Sequence, residues 1–277
     1  MKYLVTGIEG QLAAAFARRF EKAGRDFLYP RLDISDFDAV MDAVAAFKPD
    51  VILNCAAYNF VDKAETDYAG VFKANAFGPA LLAHAAKKHD ALLVHYGSDY
   101  IFDGLKKTPY MENDPAAPLN QYGKSKLAGE LLVRESGARA LVLRLSWVFG
   151  AGRQNFIGKL REWAAGGGPL KIASDEVSVP TYVEDVVDVT LKALDGGLSG
   201  VYHLVNSGFC SRYEWAEAVV KELGLKNKLE KVSAETFNLP ARRPAFSAMS
   251  NRKISEQLGL GIRDWREAVK SYLREGS

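Results

Sequence analysis

Short, almost continuously apolar runs alternate with longer stretches of helical periodicity through the first half of the chain, and that alternation leaves few architectures open. Residues 2–5, 51–54, 91–95 and 140–145 read as strands, with a shorter one at 26–28, and residues 12–23, 36–47, 71–89 and 122–135 carry apolar side chains at helical spacing. Strands that are apolar on both faces belong in a parallel sheet covered by helices on either side. The spacing therefore predicts an α/β fold, a doubly wound parallel sheet over residues 1–150. After Gly150 the pattern loosens around a Gly166-Gly167-Gly168-Pro169 turn. Residues 151–277 are expected to form mainly a smaller C-terminal lobe, with segments returning to the first domain. There Ser211 and Glu214 have capping-box spacing ahead of a helix at 215–223, and Trp265, Val269 and Leu273 give a helix at 264–273 an apolar stripe.

Composition narrows the partners. A chain of 277 residues, 48% hydrophobic and 25% charged, buries a substantial core. Its formal charge of +2 is scattered, and pairs such as Lys87-Lys88 and Arg242-Arg243 read as solvated faces, so no nucleic acid is expected. The chain opens directly on an apolar strand and holds no run long enough to span a bilayer, which predicts a soluble, cytoplasmic protein with no membrane contact. Cys55 and Cys210 are far apart and lack a histidine cluster, so neither a disulfide framework nor a metal site is expected.

The first strand runs into Thr6-Gly7-Ile8-Glu9-Gly10-Gln11-Leu12-Ala13. A glycine-rich turn at that place brings backbone N–H groups and a helix N-terminus to a pyrophosphate. Gly7 permits the tight turn, Gly10 clears the phosphate path, and Ala13 takes the third fingerprint position, which serves helix packing. Rossmann-type dinucleotide binding is the expectation. No carboxylate ends the second strand; Tyr29-Pro30-Arg31 stands there instead. Arg31 either meets a 2′-phosphate, which favours NADPH over NADH, or is a solvated arginine. Asp33 and Ile34 either lie beside the adenine or, for Asp33, cap the turn before the next helix.

Tyr122 and Lys126 stand four residues apart, on one face of the helix they begin. Alone such a pair is commonly a surface feature. A phenol with its ordinary pKa near 10 is a poor acid at neutral pH, and a neighbouring ammonium favours its ionised form. Ser98 lies just past the fourth strand, at the carboxyl end where open α/β sheets bind ligands. Read together, Ser98 orients a substrate oxygen, Tyr122 donates the proton, and Lys126 lowers the tyrosine pKa while reaching the ribose. Taken singly, Ser98 is a turn serine bonded to its own backbone.

With these residues the chain resembles the short-chain dehydrogenase/reductase superfamily and, within its extended branch, is similar to the dTDP-4-dehydrorhamnose reductases. The matching tracts are Gly7 to Leu12, Leu32-Asp33-Ile34, Asn54-Cys55-Ala56-Ala57-Tyr58, Val61-Asp62-Lys63-Ala64-Glu65, Ser98-Asp99-Tyr100-Ile101-Phe102-Asp103-Gly104, Asn120 to Lys126 and Arg144-Leu145-Ser146-Trp147-Val148-Phe149-Gly150. They cover nearly the whole chain. The resemblance implies hydride transfer from a nicotinamide to the 4-keto group of dTDP-6-deoxy-4-keto-L-mannose, giving dTDP-L-rhamnose. It also implies that Gly10, Gln11, Ala56, Ala57 and Tyr58 line the cofactor, that Asp99, Tyr100 and Trp147 meet the sugar, and that the C-terminal lobe binds substrate. Without the family, Trp147 reads as a core aromatic. Arg243, in an Arg-Pro tract, meets the substrate diphosphate or serves as a cap or surface residue. A homodimer is the assembly left open.

The sequence departs from the family pattern at Asn59, at Tyr96-Gly97 and over residues 175–181, where a glutamine- and glycine-containing loop is usual. Two other activities compete. Epimerisation or dehydration on the same scaffold would call for a glutamate after Asp99, where Tyr100 stands. A non-catalytic, NADP-binding regulatory relative, like the methionine adenosyltransferase regulatory subunit, would not call for an intact Ser98, Tyr122 and Lys126. For the cofactor, Arg31→Ala is expected to weaken NADPH more than NADH; titrations in which both dinucleotides weaken equally reject this role for Arg31.

Overall fold

The computed structural model describes residues 1–152 and 155–275. Its first half follows the alternation in order: β1 (Lys2–Thr6), α1 (Gln11–Ala23), β2 (Asp26–Leu28), α2 (Phe37–Phe47), β3 (Val51–Asn54), α3 (Tyr68–Phe72), α4 (Gly78–Lys88), β4 (Leu92–Ser98), α5 (Gln121–Glu135) and β5 (Ala140–Leu145). The main sheet runs β10-β5-β4-β3-β1-β2, with β10 (Gly200–His203) at one edge, and every pairing in it is parallel. From β1 the chain goes to β2 on one side and then to β3 on the other, so the strand order reverses between β1 and β3. That reversal opens a crevice beyond the strands' carboxyl ends.

Strand alternation sorts the core into two layers. Leu4, Ile52, Leu93 and Val142 face α2, α4 and α5 through Val40, Val44, Leu82 and Val133. Val5, Leu53, Val94 and Leu143 face the opposite layer, where Phe16 and Phe20 of α1 meet Val186 and Val187 of α7 (Val183–Asp195). Each of these aliphatic side chains contributes about 1.5–3 kcal/mol on burial. Strand β4 is longer than its apolar run implies, because Tyr96, Gly97 and Ser98 stay in register with Leu143, Arg144 and Leu145. Ser98 is thus the last residue of the strand rather than a residue beyond it.

The remaining elements are β6 (Val148–Phe149), α6 (Phe156–Ala165), β7 (Leu170–Ala173), β8 (Val177–Ser178), β9 (Thr181–Tyr182), β11 (Cys210–Ser211), α8 (Arg212–Glu222), β12 (Leu229–Val232), α9 (Arg252–Leu258) and α10 (Trp265–Glu275). They pair in twos: β6 with β9, β7 with β12 and β8 with β11. The capping box forms: Ser211 Oγ accepts from the Glu214 N–H at 3.1 Å, and the Glu214 carboxylate accepts from the Ser211 N–H at 2.7 Å. Helix α10 buries Trp265, Val269 and Leu273 as its stripe requires. Cys55 and Cys210 are both free thiols. Among the described residues no helix is long and apolar enough to cross a membrane.

One helix departs from its periodicity. The stretch expected as 71–89 is α3, a π-helical turn over Lys73–Phe77, and α4. Pro79 has no N–H to return to the carbonyl of Asn75 four residues back, so regular α-helix cannot run through this point. The helix α5 packs there: a Cβ on Gly129 would stand 2.0 Å from the Asn75 carbonyl oxygen. Gly129→Ala is therefore expected to cost about 2–3 kcal/mol through overpacking against backbone. Urea unfolding curves within about 0.5 kcal/mol of each other would show that α5 does not depend on this contact.

Candidate active site

A cavity of about 650 Å³ opens at the crevice between β1 and β3. Its phosphate end is walled by Gly10, Gln11 and Leu12 at the start of α1 and by Ala56 and Ala57 after β3. At the other end stand Ser98, Asp99 and Tyr100 after β4, Tyr122 and Lys126 of α5, and Trp147. Six residues singled out in the sequence lie off this wall. Gly7 sits beneath it at φ 83°, where a Cβ would come within 2.7 Å of the Cys55 carbonyl and the Ala56 nitrogen. Ile34 is buried under Gly78. Arg31 is exposed and pairs with Glu9 at 2.8 Å. Asp33 accepts from the Ser35 N–H and hydroxyl, which hold its carboxyl below the usual range. Tyr58 donates its hydroxyl to Asp67 at 3.0 Å. Arg243 is bound to Asp62.

The phosphate end fits a dinucleotide. Helix α1 starts with no side-chain cap and no acidic residue in its first turn, which leaves N–H groups for an anion. Gln11 anchors its amide nitrogen on the Val148 carbonyl at 3.2 Å, while its Oε1 is buried with no partner among the described residues. A sequence reading misses Asn75, in the π-helical turn. Its Oδ1 accepts from the Tyr58 N–H at 2.8 Å, and its Nδ2 donates to the Tyr58 carbonyl at 3.0 Å and to Ser125 Oγ at 3.1 Å. This one side chain ties the strand-end segment after β3 to helix α5. The only hint of it in the sequence is a polar residue inside a helical pattern just before Gly78-Pro79.

The chemical end brings an alcohol, a phenol and an amine together. Burial pushes the Tyr122 phenol up to about 12, and a hydrogen bond with the Ser98 hydroxyl opposes that shift. Burial pulls Lys126 down to about 8, against the field of Glu130 one turn further along α5. Lys126 Nζ donates to the Tyr96 carbonyl at 2.6 Å, and the shift of the phenol carries no contribution from Lys126. A buried ammonium needs an acceptor, and the strand end supplies one. Glu130 is itself held by Arg144 through Nε at 2.8 Å and Nη2 at 2.6 Å, a bidentate pair at the foot of the site.

Asp99 is a buried node. Ser178 Oγ donates to its Oδ2 at 2.9 Å, Ser247 Oγ to the same oxygen at 2.5 Å, and Ser98 Oγ to its Oδ1 at 3.4 Å. Burial raises its carboxyl to about 6 in spite of these hydroxyls. Trp147 adopts φ 38°, rare for a bulky residue. Its ring stacks on Trp215 with centroids 5.6 Å apart, so Trp147 both packs against the core and lines the cavity.

The model of a family described as RmlD substrate binding domain matches residues 1–277. The chain belongs to this family. The spore coat polysaccharide biosynthesis protein SpsK of Bacillus subtilis is 36% identical over 279 residues, spanning 100% of this chain and 98% of SpsK. A dTDP-4-dehydrorhamnose reductase of Burkholderia thailandensis is 36% identical over 294 residues, 99% of each chain. Among solved structures, a dTDP-4-dehydrorhamnose reductase of Clostridium acetobutylicum superimposes with a TM-score of 0.96 at 34% identity over 99% of both chains. That of Bacillus anthracis, in complex with NADP, does so with 0.95 at 30% over 99% of both. The Rossmann-type fold of extended short-chain reductases expected from the sequence is thus the fold of this RmlD-family member.

The raised carboxyl of Asp99 has a stability consequence. Its folded pKa lies above the unfolded value near 3.9, so the folded state is favoured while both are protonated and loses that advantage as pH climbs from about 4 to 6. Asp99→Asn removes this dependence. Relative to the wild type, the variant is expected to be about 2 kcal/mol more stable at pH 7.5 than it is at pH 4.5. Urea midpoints at both pH values measure it, and an equal difference at the two would mean that Asp99 does not titrate abnormally.

Proposed function

We propose that this RmlD-family chain reduces the 4-keto group of a dTDP-linked 6-deoxy sugar, dTDP-4-dehydrorhamnose, with NADPH as reductant. The observation that carries the reading is the meeting of Ser98, Tyr122 and Lys126, remote in sequence, on the wall of one cavity whose other end is the uncapped start of α1. NADPH, when bound, supplies the hydride. The N–H groups of α1 hold its pyrophosphate, and Arg31, already at the turn through Glu9, is the residue for a 2′-phosphate. The related reductase of Bacillus anthracis, solved with NADP, supports the same cofactor.

The chain's own residues then move one proton. Ser98 Oγ holds the substrate carbonyl oxygen. Tyr122, protonated at neutral pH and held further in that form by burial, gives its O–H proton to that oxygen as the alkoxide develops. Lys126, charged below about pH 8, stabilises the phenolate left behind and holds the nicotinamide ribose. Tyr100 and Trp147 flank the sugar, and Asp99 keeps the segments carrying Ser98, Ser178 and Ser247 together around it. In this reading residues 1–150 bind the dinucleotide, and the elements of 151–277 that stand outside the main sheet bind the sugar. We take the cytoplasm as its compartment, where unbridged Cys55 and Cys210 stay reduced.

Tyr122→Phe is expected to keep its affinity for NADPH and lose at least about 100-fold in turnover of the keto-sugar. Dinucleotide oxidation followed against a panel of 4-keto-6-deoxy nucleotide sugars is the measurement. Unchanged turnover removes the phenol from the mechanism, and epimerised product without net oxidation of NADPH replaces reduction with the competing chemistry.

A further inference from the structure

Arg212, the first residue of α8, stands in a setting that its surroundings do not use up. Its side chain is 20% exposed. The guanidinium lies 3.7 Å above the centroid of the Trp147 ring, with Phe156 at 5.0 Å and Trp215 at 5.5 Å. The nearest carboxylate, Glu176 Oε2, is 3.9 Å away, beyond hydrogen-bond reach, and no described residue accepts a hydrogen bond from the guanidinium. Five N–H donors held over an aromatic face therefore have no acceptor among the described residues, in a place where solvent supplies little compensation.

Two other guanidinium groups near this site, Arg243 and Arg144, are spent. Arg243 donates to both oxygens of Asp62, at 3.0 and 2.8 Å, and to the Ala241 carbonyl at 2.8 Å. Arg144 is taken by Glu130. Tyr100, on the cavity wall, lies in the fields of Asp99, Glu176, Arg212 and Arg243, so Arg212 stands near this end of the cavity. The platform is rigid: the Arg212 N–H donates to the Glu176 carbonyl at 3.0 Å, which ties α8 to the loop over residues 175–181, and Trp147 stacks on Trp215 of the same helix.

Resting on the nucleotide-sugar reading above, we propose that Arg212, seated on Trp147, and not Arg243, is the cation that binds the diphosphate of the sugar nucleotide. A planar fork of donors matches the oxygens of a diphosphate, and aromatic stacking fixes its orientation before the ligand arrives. Glu176 balances the buried charge in the free protein at a distance that leaves the donors open. The loop departing from the family pattern and the residue it holds then act together in substrate binding.

Calorimetric titration of the full chain with dTDP, thymidine and NADPH tests this on Arg212→Gln, Arg212→Lys and Arg243→Gln. Arg212→Gln is expected to weaken dTDP at least about 10-fold, the loss of one or two charge-assisted hydrogen bonds, while thymidine and NADPH stay within about 2-fold. Unchanged NADPH affinity also shows that the variant is folded and that the cofactor's own phosphates are not what Arg212 meets. Arg212→Lys keeps the charge and recovers part of the loss. Unchanged dTDP affinity, an equal loss for thymidine, or a larger loss in Arg243→Gln overturns the assignment. A wild type that binds none of dTDP, UDP and GDP overturns the nucleotide-sugar reading itself, and this inference with it.

Discussion

Backbone-to-backbone contact of helix α5 is the constraint on which the site depends. A Cβ on Gly123 would stand 2.2 Å from the Tyr100 carbonyl oxygen, and one on Gly129 would stand 2.0 Å from that of Asn75. Two side-chain-free positions thus let the helix lie directly on the turn after β4 and on the π-helical turn. Tyr122 adjoins the first of these contacts and Lys126 falls between the two, and their distance from Ser98 at the end of β4 follows from them. Asn75, with its carbonyl against Gly129 and its amide on Tyr58 and Ser125, joins the same contact to the segment that lines the phosphate end. Both ends of the cavity are set by one packing event.

Burial then decides the protonation states. It raises Tyr122 and Asp99 and lowers Lys126, His95 and His203, in every case toward the neutral form. The buried Glu130–Arg144 pair is instead satisfied in bidentate geometry. Such a pair gains little net stability over an apolar one. Its use here is positional, since the Glu130 carboxylate offsets part of the desolvation of Lys126 one turn away. A phenol kept protonated and an ammonium kept partly charged suit the proton delivery proposed for this site. The preference runs opposite to the phenolate-favouring arrangement that the Tyr122 and Lys126 spacing suggests by itself.

Much of this was legible in the chain. Strand alternation and helical spacing located β1, β2, β3, β5 and most helices within a residue or two, because core-facing periodicity is a local property. The Ser211 and Glu214 box and the stripe of α10 were equally local. Less visible were the extension of β4 to Ser98, which rests on register with β5 rather than on hydrophobicity, and β10, four residues that join the sheet from far along the chain. The π-helical turn looked like uninterrupted helix apart from Gly78-Pro79. Arg243 carried a motif, yet Asp62 occupies it; Arg212 carried none, and only its place on Trp147 draws notice.

The sequence by itself determined the parallel sheet and the glycine turn at its first crossover, and singled out the alcohol, phenol and amine proposed for the chemistry, since each is written in neighbouring residues or in a repeated period. The tertiary structure alone decided which acceptor Lys126 serves, which arginine keeps its donors free, and that Ser178 and Ser247, from distant segments, share the Asp99 carboxylate. Those outcomes depend on competition among buried polar groups for partners, and the competitors come together only when the chain folds.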